Sequence, residues 1–288
     1  MSDTKVTLTG TGIPHATPGR AGAGALVTYK RISVQFDAGR GTTLRLAEAG
    51  SPPLYLGALF LTHYHSDHVV DVADVAMTRW VQQQTKKTGP LTIVTPDGPC
   101  RTFVERMFDA YADDIAVRRH HTGAAEPGIE LSSFVPTSQP QRVWQSENGE
   151  VTVDAIAVHH EPVEAAVAYR VNTPDGAVVI SGDTRVCDEV FELARGAQVI
   201  VHEACRKVAM GESIKGTAFE NIFDYHSDTV ALGAMAQKYE VPHMVLTHLI
   251  PSPHTPEDEQ AFEDDLRTGG YTGTVSVGRD LFSVAIGE

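Results

Sequence analysis

A chain of 288 residues, 42 % hydrophobic and 21 % charged, can bury a substantial core and has the composition of a folded globular protein, not of a disordered one. No run approaches the roughly 18 apolar residues of a membrane span. MSDTKVTLTG lacks the basic and apolar regions of a secretory signal, so a cytoplasmic chain without a membrane partner is expected. The formal net charge of -14, from 23 basic and 37 acidic residues, repels nucleic acid, and the basic pairs Lys86-Lys87 and Arg118-Arg119 read as solvated faces.

In chain order, KVTLTG, ISVQFD and ALFLTH read as strands bounded by turn residues. Over 68–84, Val69, Val72, Ala73, Ala76, Trp80 and Val81 recur at helical spacing. LTIVTP is a further strand, and Asp97 is placed to cap a helix over 97–110. Residues 118–150 read as the least regular region. Strands VTVDAIAV, AVAYRV, AVVISGD, QVIVHEA and HMVLTH follow, with helices near 186–194, 226–239 and 256–267. The glycine-rich GRAGAGAL at 19–26 lacks a phosphate-loop or dinucleotide pattern and reads as a flexible loop near a site mouth. Cys100, Cys187 and Cys205 form no CxxC pair and fit a reducing compartment. Without repeats or long linkers, the expectation is one α/β domain over 1–288.

The stretch LTHYHSDHVV crowds His63, His65, Asp67 and His68 into six positions behind the apolar run Leu59, Phe60, Leu61. With a strand at 58–62, His63 to Asp67 form the loop beyond it and His68 opens a helix. Alternate side chains of such a loop converge, His63 and His65 on one metal, Asp67 and His68 on a neighbour. Imidazole nitrogen and carboxylate oxygen suit zinc and similar divalent ions. More donors stand where other strands run out: His159 or His160, Asp183 and His248. His15, His120, His121, His202, His243 and His254 have no companion motif, and His202 should alternate to the opposite strand face from Glu203.

THYHSDH, a later single histidine, SGDT and the final LTH resemble the ordered motifs of the metallo-β-lactamase fold superfamily. TLTGTGIPHATPGRAGAGALV is similar to its opening strand-loop-strand, VQFDAGRGTTLRLAEAG to the segment after it, and GGYTGTVSVGRDL to its closing hairpin. The resemblance implies a four-layer αβ/βα sandwich with a dinuclear metal site at one edge. Carried over, His63, His65 and one of His159/His160 hold the first metal; HEPVEAAVAYR resembles the family's ligand-histidine segment and favours His160. Asp67, His68 and His248 hold the second, with Asp183 bridging. Two Zn2+ are implied, although the same donors accept Mn2+ or Fe.

VHEAC and YHSDT resemble stretches of ribonuclease Z and its arylsulfatase-like and phosphodiesterase relatives. The resemblance implies that His226 protonates the leaving oxygen while Glu203 orients it, and that Asp67 steers a metal-bridging hydroxide. The expected activity is hydrolysis of small esters, phosphodiesters or aryl sulfates. Alternatives are a ribonuclease Z-type tRNA 3′-end endonuclease, a lactone or thioester hydrolase, and a non-catalytic metal-binding sensor. Residues 84–150 show no lysine-rich arm, which with the net charge of -14 favours a small-molecule substrate over nucleic acid. Related enzymes imply a homodimer.

Overall fold

The computed structural model describes residues 2–217 and 219–287. The chain first lays down β1 (Thr4–Gly10), β2 (Gly24–Tyr29), β3 (Ile32–Phe36), β4 (Ala58–Phe60), β5 (Leu91–Pro96) and β6 (Ile129–Phe134). A second series follows: β7 (Gln141–Gln145), β8 (Thr152–Ala157), β9 (Val167–Thr173), β10 (Gly176–Ile180), β11 (Val199–Cys205), β12 (His243–Ile250) and β13 (Thr274–Val277). Then β14 (Ser283–Ile286) returns to the first series and pairs with β1, giving two seven-stranded sheets in the orders β14-β1-β2-β3-β4-β5-β6 and β13-β12-β11-β10-β9-β8-β7.

Alternation along the strands decides what each sheet face touches. In β4, Ala58 and Phe60 face the other sheet, where they join Val153, Tyr169 and Val178. Leu59 and Leu61 point the other way, to Val72, Ala76 and Val104 of the covering helices α1 (Thr42–Glu48), α2 (Ser66–Val69), α3 (Val72–Gln83) and α4 (Pro99–Arg106). A further helix, α5 (Ala112–Thr122), follows on that side of the chain. In β11, Val199 and Val201 face the inter-sheet core while Ile200 packs among Phe191, Leu232 and Phe262. Those last three side chains come from α6 (Asp188–Leu193), α8 (Thr229–Lys238) and α9 (Pro256–Thr268); α7 (Lys207–Ile214) follows β11. Helix, sheet, sheet and helix make the four-layer αβ/βα sandwich that the motif resemblance implies.

Several local expectations need correction. The helix expected over 68–84 begins at Ser66 and is broken after Val69. Ala38 N–H donates to the His68 carbonyl and Asp71 N–H to the Ala38 carbonyl, so a neighbouring loop takes over the helical hydrogen bonds there. Gly98, not Asp97, precedes α4, with Pro99 at its first position, and Asp97 instead pairs with Arg101 at 3.5 Å. The region 118–150 holds the end of α5 and two strands; β6 and β7 lie at sheet edges, where polar residues mask the strand pattern. The closing segment is no hairpin, because β13 pairs with β12 and β14 with β1, in different sheets. The glycine loop at 19–26 is tied down: Arg20 donates to Thr11, to the Gly278 carbonyl and to Glu259, and Gly22 N–H to the Arg40 carbonyl.

Candidate metal centre

Strands β3 and β4 run parallel, as do β10, β11 and β12, and β8 shares their direction through two antiparallel pairings. Their C-terminal ends meet at one edge of the sandwich, the usual place for site residues in such sheets. There the structure gathers two groups of donors, His63, His65, His160 and Asp183, and Asp67, His68 and His248, with the donor atoms of each group within 4.8 Å of one another. Asp183 lies between them. Its Oδ2 stands 3.8 Å from His63 Nε2, 3.3 Å from His68 Nε2, 3.9 Å from His160 Nε2 and 3.4 Å from His248 Nε2. Asp67 Oδ2 stands 3.6 Å from His68 Nε2 and 3.2 Å from His248 Nε2.

Local folding aims each group. Asp37, just past β3, accepts from Thr62 N–H and Thr62 Oγ, each at 2.7 Å, which fixes the backbone at the end of β4. The same carboxylate receives His68 Nδ1 at 2.8 Å, so His68 turns Nε2 into the cluster. His160 Nδ1 donates to the Tyr225 carbonyl at 2.9 Å, leaving its Nε2 beside His65 Nδ1 at 3.2 Å. His248 is the extra residue of a β-bulge: Glu203 opposes Thr247 and Ala204 opposes Leu249, and His248 takes φ 43°. A bulge re-aims one side chain without ending the strand.

His159 lies outside the cluster, with Nε2 3.1 Å from Glu189. His202 packs on Phe191 with ring centroids 6.0 Å apart, on the strand face opposite Glu203. His226 Nδ1 meets Glu203 Oε1 at 2.9 Å, and the same carboxylate accepts from Thr184 N–H at 2.8 Å and Ser227 N–H at 3.3 Å. An atom of His226 also falls within 4.8 Å of Asp183 and His248 donors. Asp37, Thr184 and the Tyr225 carbonyl escaped the sequence reading. An aspartate directly after a strand and before AG, in VQFDAG, was the available signal for Asp37; a backbone carbonyl leaves none.

The electrostatics follow from crowding in a dry site. Burial lowers the pKa of His63 well below its ordinary value, with His68 adding to the effect. Burial opposes charge on Asp183, but His248 and His68 hold its carboxyl well below the usual range. At His226, burial is outweighed by the Glu203 carboxylate, and the pKa is raised to about 9. Among the described residues His63 Nε2, His68 Nε2 and Asp183 Oδ1 are buried without a hydrogen-bond partner. Each such orphan costs about 1–3 kcal/mol. Imidazole nitrogens and carboxylate oxygens converging in a buried cluster fit divalent cations.

Comparison with known proteins agrees with this geometry. The sequence profile of the beta-lactamase superfamily domain matches residues 34–249. Fold and site thus define a class, the metal-dependent hydrolases of the metallo-β-lactamase fold. A ribonuclease Z of Mycobacterium bovis is 34 % identical over 284 residues, covering 98 % of either chain. This chain belongs to the beta-lactamase superfamily, in its ribonuclease Z branch. Among solved structures, the metallo-beta-lactamase fold protein YhfI of Bacillus subtilis superposes with TM-score 0.73 at 20 % identity, covering 98 % of both chains. The short form of human tRNase Z does so with TM-score 0.71 at 19 % identity, covering 98 % of this chain and 99 % of its own. The likeness to a ribonuclease runs against the expectation of a small-molecule substrate in preference to nucleic acid. No described helix is long and apolar enough to cross a membrane.

Proposed function

We propose that the protein is a ribonuclease Z-type phosphodiesterase that cleaves tRNA precursors near the 3′ end. Two divalent cations, zinc first among them, would be held by His63, His65, His160 and Asp183 and by Asp67, His68 and His248, with Asp183 shared. The observation that carries the reading is the full-length similarity to a protein named ribonuclease Z. Relatives of that name match this chain from end to end, so the missing lysine-rich arm does not separate it from them. Aryl sulfates have no comparable support. A small phosphodiester remains the second reading, favoured by the net charge of -14, which disfavours a long polyanion.

Cations held there would supply Lewis acidity and a nucleophilic water at neutral pH. The chain's own residues would do the rest. Asp67 would accept a hydrogen bond from the attacking water and orient it. Glu203, held by Thr184 and Ser227 N–H groups, would fix His226 through Nδ1 and turn its other nitrogen towards the leaving oxygen. The Glu203 carboxylate favours the protonated ring, the form that can donate to this oxygen.

A 3′-labelled tRNA precursor incubated with zinc-loaded protein tests the reading, with bis-p-nitrophenyl phosphate and p-nitrophenyl sulfate alongside and His63→Ala as blank. Release of the 3′ trailer by wild type alone supports it. Turnover of the diester with the precursor left intact would replace it by the small-phosphodiester reading.

A further inference from the structure

We propose that Tyr64 and Tyr225 form an aromatic rim on which a ring of the substrate, esterified beside the scissile bond, stacks. The inference rests on the ester-hydrolase reading for where that bond sits, and it names the group next to it.

The first donor group is buried except at His65, which is half-buried, so the cluster opens to solvent on that side. Tyr64 sits there, 38 % exposed, its ring 5.9 Å from His65 at 64°. His65 and His160 are 5.0 Å apart at 77°. The half-buried Tyr225 follows at 5.5 Å and 78° from His160, and 5.0 Å from His226. The rings thus follow one another from Tyr64 through His65 and the buried His160 to Tyr225, with a partly exposed tyrosine at each end. The neighbours of Tyr225 behave differently: Ile222 and Phe223 pack inward against Ile13, Cys205 and Ile250.

Both tyrosines are held by the site itself. Tyr64 lies between two donor histidines in the chain, and the Tyr225 carbonyl receives His160 Nδ1 at 2.9 Å. A tyrosine has only two χ angles to restrict, so each ring loses little freedom on contact. An acidic surface gains little from phosphate contacts, and stacking on an uncharged ring supplies affinity that charge cannot. A nucleobase and an aryl group share the required flat π-face.

Calorimetric titration of the zinc-loaded full chain with methyl phosphate, phenyl phosphate and uridine 5′-monophosphate tests the rim without turnover. Wild type should bind the two ring-bearing esters roughly tenfold more tightly than methyl phosphate. Tyr64→Ala and Tyr225→Ala should each shrink that ratio and the double variant should bring it near one, whereas Tyr64→Phe and Tyr225→Phe should keep it. Preference for the nucleotide over phenyl phosphate assigns a base, and the reverse an aryl group. Equal affinity for all three in wild type, binding of none at millimolar concentration, or a ratio that survives in the double alanine variant overturns the proposal. Because binding is read directly, failure of the hydrolase reading shows separately, as absent turnover of precursor and diester.

Discussion

Asp37 accepts hydrogen bonds from the main chain and side chain of Thr62 and from His68, so one carboxylate sets both the β4 terminus and a donor imidazole. Replacing a carboxylate that orients a ligand histidine typically lowers metal affinity about 10–100-fold. Asp37→Ala should do so in competition with a chromogenic chelator; an affinity equal to wild type would mean that His68 is oriented by packing alone. His226 poses the opposite case, since it lies near donor atoms yet is anchored to Glu203. If it serves the leaving group, His226→Ala should retain its metal by elemental analysis and lose about 10²–10⁴ in turnover. Loss of a metal equivalent would instead make it a ligand. The seven candidate donors stand out in the sequence because four crowd into one short stretch after β4 and the others follow or lie in apolar strand runs. Asp37 stands out less, because its importance appears only when β3 and β4 become parallel neighbours.

Elements fail or succeed as supports for these residues. The loops carrying Gly22 and Gly39 pack so closely on the Asp67 main chain that a Cβ on Gly39 would overlap the Asp67 carbonyl oxygen. Gly39→Ala should therefore cost about 1–3 kcal/mol in urea unfolding, and should weaken metal binding with it; a variant equal to wild type in both would show that the loop can move aside. Helix α9 is more self-sufficient. Thr255 accepts from Asp258 N–H at 3.1 Å, and the Asp258 carboxylate accepts from His254 and Thr255 N–H at 3.0 Å each. Thr255→Ala should cost about 1 kcal/mol. Those backbone donors lower the Asp258 pKa. A lowered carboxylate pKa adds stability above the unfolded-chain value of about 4, and that stability is lost as pH falls through the lower folded value. The gap in Tm between wild type and Asp258→Asn should thus be widest near neutrality and shrink in acid; a gap that widens in acid would reverse the sign. Most helices and strands can be read from apolar spacing. The break after Val69 cannot, because its cause is the distant Ala38, nor can the His248 bulge, which is a property of strand register.

At the scale of the molecule, the donor set is divided between the sheets. His63, His65, Asp67 and His68 follow β4 of one, while His160, Asp183 and His248 follow β8 and β10 or lie in β12 of the other. Cations bound across that seam would clamp the two halves and leave the unfolded chain without a site. At a free metal concentration of a thousand times Kd, one such site adds about 4 kcal/mol, or roughly 10 °C in Tm for a chain of this size. Chelation, checked by elemental analysis, should lower Tm by that order, and an unmoved transition would mean that packing alone holds the seam. The four-layer arrangement is legible in the motif order and strand count. The separation of β13 from β14 is not, since two short strands joined by a turn look alike whether they pair or part.

That parting has a consequence for how the protein is made. Thr4 pairs with Ile286, so the outer edge of β1 stays bare while the ribosome works through the rest of the chain. An unpaired strand edge invites pairing with other nascent chains. Residues 1–248 must also have emerged before the seven donors can meet. Chaperone demand would then last until β14 has emerged, and metal loading would wait for β12.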